Sequence, residues 1–218
     1  MNLTKNQKDL INCEIKQMLS TFDFILSATI VGSYNKSKND ESIGDIDIVI
    51  IVKKLNKLKF NSIVNRFLNF DKKKIGLDKY HIKVNSTFGP LKLKVKNDLI
   101  FHVMIYDLKY HIDHVEKSPF TCYEWEKNEP IIGKSLKNLY PVVFVQISDI
   151  LKSRRSIETY LNDLKNKNIS YRKYLFKNDT YQITNETYIL NDKNKYEYCF
   201  HITKHLLINL FKILNQKY

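Results

Sequence analysis

Two carboxylates stand two residues apart at Asp45 and Asp47, and Gly32-Ser33 precedes them with eleven residues between. Gly32-Ser33 ends an apolar run, residues 24–31, and Asp45-Ile46-Asp47 opens another, residues 48–52. Both runs are short and rich in Ile and Val, so both predict buried strands. Side chains alternate along a strand, so Asp45 and Asp47 point the same way, with Cα atoms about 7 Å apart. Two like charges at the start of a buried strand repel each other and lose hydration, and a divalent cation offsets both. Hard oxygen ligands suit Mg²⁺, which takes one or two carboxylates plus substrate phosphates. Gly32 lets a backbone N–H approach a phosphate closely, and Ser33 adds a hydroxyl at a predicted helix start. The combination predicts a nucleoside triphosphate held between a Gly-Ser turn and an Asp-bound metal.

The elements that must position these residues follow from periodicity. Residues 4–20 predict a helix capped by Thr4, with Leu10, Ile11, Ile15 and Leu19 following helical spacing. Strand 24–31 leads into a short helix or wide turn, a polar loop at 39–44, and strand 45–52. Residues 57–69 predict an amphipathic helix and 80–85 a strand. Residues 91–95 alternate Leu, Lys, Leu, Lys, Val and predict a half-buried strand that pairs with 99–106 as a hairpin. Residues 108–116 predict a helical turn or short helix, and 118–129 read as aromatic and irregular. A long helix is expected within 140–167, a hairpin or a helix over 169–190, and a closing helix over 194–216. The expected division is a sheet domain at residues 1–138 and a helical C-terminal region at 139–218 that shapes the acceptor site.

Ile30-Val31-Gly32-Ser33, the spacer, and Asp45-Ile46-Asp47-Ile48-Val49 together resemble the motif of the DNA polymerase β-type nucleotidyltransferase superfamily. The resemblance covers roughly residues 5–135. It implies an α+β fold, a mixed β-sheet flanked by helices, followed here by a mostly helical C-terminal part. It also implies an enzyme that moves a nucleoside monophosphate from an NTP to an acceptor hydroxyl or phosphate, releasing pyrophosphate. Asp45 and Asp47 would then be the catalytic metal ligands, with Mg²⁺ as cofactor and Mn²⁺ as the alternative. Gly32 and Ser33 would meet the triphosphate, joined by Lys36 and by Arg154 from a later helix. A chain of this length is short for a polymerase with its own template grip, so a single addition to a small molecule is the favoured reading; an RNA or protein acceptor stays open.

The match breaks on a later strand. Similar enzymes carry a third carboxylate there, and the corresponding stretch, residues 99–107, has His102 at its central polar position. An imidazole at that point could ligate a metal, act as a base, bind phosphate when protonated, or be a hydrogen-bonded core residue. Nitrogen ligation would favour Mn²⁺, or one metal in place of two. Asp98 in a turn and Asp107 on the opposite strand face fit the third position less well. This departure supports an alternative reading, a catalytically impaired module that binds nucleotide, RNA or a partner protein.

Composition narrows the rest. With 218 residues and 43% hydrophobic content the chain can build a sizeable core. The net charge of +13 favours anionic ligands, triphosphates and RNA among them, without choosing between them. Only Arg66, Arg154, Arg155 and Arg172 among the basic residues are arginines. Lys36, Lys38, Lys152 and Arg155 are further candidates for phosphate contact, or solvated surface. Cys13, Cys122 and Cys199 lack metal-site spacing and predict reduced thiols. His201 and His205 have helical spacing without the Glu of a zinc-protease motif, and read as structure or surface. The segment 120–126, with Trp125, Glu124 and Glu126, could form an acceptor pocket suited to a polar or cationic molecule, or a seam between domains. Neither a leader-type start nor an apolar run of ~20 residues is visible, so a cytoplasmic protein without membrane contact is expected.

Overall fold

The computed structural model describes residues 3–36, 45–85, 97–153 and 156–215. The chain opens with α1 (Lys5–Leu19), where Thr4 and Gln7 form a reciprocal capping box. It continues through β1 (Ile25–Val31), the single turn α2 (Ser33–Lys36), β2 (Ile46–Val52), α3 (Lys57–Leu68), β3 (His81–Asn85) and β4 (Asp98–Asp107). Then come α4 (Leu108–Lys117), α5 (Pro119–Trp125), the short β5 (Ile132–Gly133) and α6 (Leu136–Leu139). The C-terminal part holds α7 (Ile147–Lys152), α8 (Ile157–Lys165), the strands β6 (Asn168–Lys177) and β7 (Thr180–Ile189), and α9 (Asp192–Leu214).

Five strands form one mixed sheet in the order β3-β4-β2-β1-β5. β2 runs antiparallel to β1 and parallel to β4, and β3 runs parallel to β4. Helices cover both faces, which is why the central strands read as near-continuous apolar runs. Ile46, Ile48, Ile50, Phe101, Val103 and Ile105 join one buried cluster with Ile11, Ile15, Ile63 and Phe67 from α1 and α3. Val49, Ile51, Met104 and Tyr106 join the other, with Val115, Phe120 and Trp125 from α4 and α5. Alternation places Asp45, Asp47 and His102 on this second side. β5 lies against β1 through Gly133, whose φ of +73° and absent Cβ let the chain pass the Leu26 carbonyl, where a methyl group would overlap it.

The expected α+β architecture is present, with a five-stranded mixed sheet flanked by helices and a helical close. Two local readings change, and a third, left open between a hairpin and a helix, resolves to the hairpin. Residues 118–129 contain α5, started by Pro119 at a first-turn position where the missing N–H costs nothing. The long helix expected within 140–167 is two short ones, because Ser156 caps a fresh start by accepting from Thr159 N–H, and extended residues 141–146 precede α7. Residues 169–190 form a hairpin, β6–β7. The hairpin docks on β4 past the last pair with β3: Tyr174 Oη donates to the Ile105 carbonyl at 2.6 Å and accepts from Ile105 N–H at 2.9 Å, and Tyr181 Oη accepts from Asp107 N–H at 3.3 Å. Side-chain hydroxyls thus satisfy backbone groups along this part of the strand edge. The expected strand at 91–95 falls outside the described residues. No described helix is long and apolar enough to cross a membrane.

Candidate active site

The parallel register pairs Asp47 directly with His102, and the antiparallel register pairs Asp47 with Val31, the residue before Gly32. One residue of β2 therefore faces both the end of β1 and the middle of β4. His102 Nδ1 lies 2.7 Å from Asp47 Oδ1. Asp45, just ahead of β2, completes the group: donor atoms of Asp45, Asp47 and His102 all lie within 4.8 Å of one another. Asp45 is 6% exposed, and the Asp47 and His102 side chains are 17% and 7% exposed. Among the described residues this is a group of three that could hold a metal ion.

The donor set fits such an ion. Two ligands at right angles around a cation at about 2.1 Å stand about 3 Å apart, close to the spacing of the Asp47 and His102 atoms. Two carboxylates supply hard oxygen, and the imidazole adds a nitrogen that broadens the choice beyond Mg²⁺.

Gly32 sits against this cluster in a left-handed conformation, φ +78°, and a Cβ there would overlap Asp47 Oδ2. The glycine thus makes room for the carboxylate as well as for the turn. Ser33 is exposed at the start of α2. Two neighbours that the sequence reading passed over hold this turn in place. Tyr34 is buried and its hydroxyl reaches the Lys8 carbonyl and Asn12 Oδ1 of α1, both at 3.1 Å. Asn35 Nδ2 donates to the Ile30 carbonyl at 2.7 Å and to Asn128 Oδ1 at 3.2 Å. Burial raises the Tyr34 phenol above its usual range, so it stays a neutral hydroxyl. An aromatic and an amide one turn into a helix after Gly-Ser were the available signal.

The other candidates fall elsewhere. Lys36 ends α2, and the reading of its side chain lies outside the described residues, as do Lys38, Arg154 and Arg155. Lys152 is exposed at the end of α7. Asp98 is buried against Lys83, Nζ to Oδ2 2.6 Å, and Asp107 caps α4 by accepting from Tyr110 N–H. Both carry structural contacts. Glu124 is in reach of Lys127 and Lys212, and Glu126 accepts from Val142 N–H at 2.9 Å. These two acids tie α5 to neighbouring segments.

A cleft of about 930 Å³ opens beside His102. One wall is α4 and α5, with His114, Phe120 and Trp125; the opposite wall is the inner face of the hairpin and a stripe of α9. Ser170 and Arg172, two apart on β6, and Ile183 and Asn185, two apart on β7, point into it as strand alternation requires. His201, His205 and Asn209 follow at four-residue helical spacing on α9, so the histidine pair read as structure or surface lies in the cleft wall. Arg172 and Lys204 also line it, and sequence alone gave no reason to place them in one cleft with His102.

Neither the curated proteins nor the solved structures contain a match to the chain. A family model described as the nucleotidyltransferase domain matches residues 12–138, which run from within α1 to within α6 and include every strand of the central sheet. The chain belongs to the nucleotidyltransferase domain family.

Proposed function

We propose that the protein is a metal-dependent nucleotidyltransferase that transfers a nucleoside monophosphate from an NTP to a single acceptor, with pyrophosphate release. The observation that carries this is the meeting of Asp45, Asp47 and His102 beside Gly32-Ser33 inside a nucleotidyltransferase domain. Asp45 and Asp47 would hold the metal, Mg²⁺ or Mn²⁺, which when bound stabilises charge on the attacking and leaving oxygens. Gly32 and Ser33 present backbone and hydroxyl donors to the triphosphate. His102 takes the place of a third carboxylate. With Nδ1–H donating to Asp47 Oδ1, the imidazole is oriented and its Nε2 lone pair is left to accept the proton of the acceptor hydroxyl. The acceptor oxygen bonds to the α-phosphorus as the bond to the bridging oxygen of the β-phosphate breaks.

Residues 1–138 supply this chemistry and residues 139–218 supply the hairpin and α9 that face His102 across the cleft, a division that supports a C-terminal role in choosing the acceptor. The cleft volume is that of a small-molecule site, which favours a small acceptor over a template. The test is pyrophosphate release from the four NTPs with Mg²⁺ or Mn²⁺, in the wild type and in Asp45→Asn and Asp47→Asn. The expected result is loss of at least about 100-fold in both variants with unchanged melting temperatures. Turnover near wild type in both would sink the reading.

The second reading, a module that binds nucleotide without transfer, draws on His102 standing where an acid is usual. Metal-dependent NTP binding with no pyrophosphate release in the presence of any acceptor would favour it.

A further inference from the structure

The cleft beside His102 has a charge pattern of its own. Its described lining carries three permanent cations, Lys117, Arg172 and Lys204, against one carboxylate, Asp113. Asp113 is in contact with Lys117, Nζ to Oδ1 2.5 Å, on the same helix turn. Arg172 and Lys204 come from different elements, β6 and α9, and reach the same space from the hairpin and the helix. His114, His201 and His205 add three imidazoles and no further acid. A low-dielectric wall of Phe120, Trp125, Tyr160 and Tyr198, each less than a tenth exposed, strengthens the field of those cations inside the cleft. A second observation points to a ligand: Asn209 is 4% exposed, lines the cleft, and its Oδ1 has no hydrogen-bond partner among the described residues. A buried amide oxygen seeks a donor, and a ligand hydroxyl is one.

We propose that this cleft is the acceptor site and that the acceptor is a small hydroxyl compound carrying a phosphate or carboxylate, with the anion on Arg172 and Lys204 and one hydroxyl directed to His102. The inference rests on the transferase reading above. It replaces the polar or cationic acceptor expected from residues 120–126, because the lining of the cleft includes Arg172 and Lys204 and neither Glu124 nor Glu126. In the reaction, the acceptor hydroxyl oxygen forms a bond to the α-phosphorus of the NTP. The bond from that phosphorus to the oxygen of the β-phosphate breaks, pyrophosphate leaves with the electron pair, and the hydroxyl proton goes to His102 Nε2. The product is a phosphodiester that joins the nucleoside to the acceptor hydroxyl.

Trp125 is the sole tryptophan and lines the cleft, so its fluorescence reports occupancy of the full-length chain. The probes are hexose monophosphates, the parent hexoses, an amino sugar and a short RNA oligonucleotide. The sugar phosphates are expected to change the signal at concentrations about 100-fold below the parent sugars, as charge-assisted contacts to two cations require. Lys204→Gln, an exposed helix position that leaves the fold intact, and Arg172→Gln are each expected to weaken that binding about 10-fold. Lys53→Gln, with the same charge change away from the cleft, is expected to leave it unaltered. Equal binding of the parent or amino sugar, binding of RNA alone, or indifference to Lys204→Gln and Arg172→Gln would overturn the proposal. So would an NTP signal from Trp125 that depends on Arg172, since the cleft would then hold the donor. Metal-dependent NTP binding, lost in Asp45→Asn, is measured in parallel. If NTP binds and the sugar phosphates do not, the acceptor class fails alone. If NTP does not bind, the transferase reading fails and the acceptor assignment falls with it.

Discussion

His102 Nδ1 stands 2.7 Å from Asp47 Oδ1 because the two residues are direct partners in a parallel strand pair. Strand register, and no loop, sets this distance, so the contact is as rigid as the sheet. A base fixed by a carboxylate contributes on the order of 10²–10⁴-fold to a proton-transfer step. His102→Ala is expected to lower pyrophosphate release by about 100-fold or more while NTP binding persists. His102→Asp restores an acid to the partner position and is expected to regain part of the rate with either metal. Parallel turnover assays in the two metals check both. A His102→Ala protein as active as the wild type would reduce the imidazole to a core residue.

Gly32 serves the same carboxylate from the other side. Alanine there meets Asp47 Oδ2 and is forced into a positive φ. The expected cost of the backbone conformation is about 1 kcal/mol, small against the effect on the site. Gly32→Ala should fold, with a slightly lower melting temperature, and lose metal-dependent NTP binding because Asp47 must rotate away from His102 and Asp45. Calorimetric titration of the folded variant with NTP and metal is the measurement, and unchanged affinity would detach Gly32 from the carboxylate.

The site was legible in sequence where its geometry is local. Gly32, Asp45 and Asp47 lie within one strand–turn–strand unit, and His102 announced itself as a polar residue inside an apolar strand. The alternation of β2 and β4 then fixed which face each occupies. Arg172 and Lys204 were illegible for the opposite reason. Their approach to His102 depends on how the β6–β7 hairpin docks, and that rests on tyrosine hydroxyls meeting backbone groups of a strand 69 residues away in sequence. No periodicity encodes such a contact. The expected long helix failed more simply: Ser156 was a capping signal inside what looked like one apolar-periodic run.

Tyr174 offers a direct test of that docking. Its hydroxyl both donates to the Ile105 carbonyl and accepts from Ile105 N–H, and the buried phenol is held well above its usual pKa. Tyr174→Phe removes one oxygen and strands two buried backbone groups, at an expected loss of about 1–3 kcal/mol. Tyr181→Phe removes a single 3.3 Å contact and should cost less. Denaturant unfolding of the two variants gives the ranking. Since the hairpin forms one wall of the cleft, Tyr174→Phe should also weaken ligand-induced changes in Trp125 fluorescence more than Tyr181→Phe does.

His111 on α4 is 1% exposed, and neither ring nitrogen has a hydrogen-bond partner among the described residues. Burial pushes its pKa down to about 4. Above about pH 6.5 the ring is neutral in folded and unfolded chains alike and contributes no pH dependence. As pH falls below that value the unfolded chain takes up a proton that the folded chain refuses, so stability declines until about pH 4, where the folded ring protonates too. Integrated over that window the loss is about 3 kcal/mol. His111→Phe removes the titration and two unsatisfied buried nitrogens. It should be at least as stable as the wild type at pH 7 and should lose about 3 kcal/mol less between pH 6.5 and 4. Urea unfolding at half-unit pH steps measures the difference between the two proteins, which cancels the titration of every other group they share. Parallel curves across that window would mean that the imidazole gains a proton without opening the packing between α4 and the sheet.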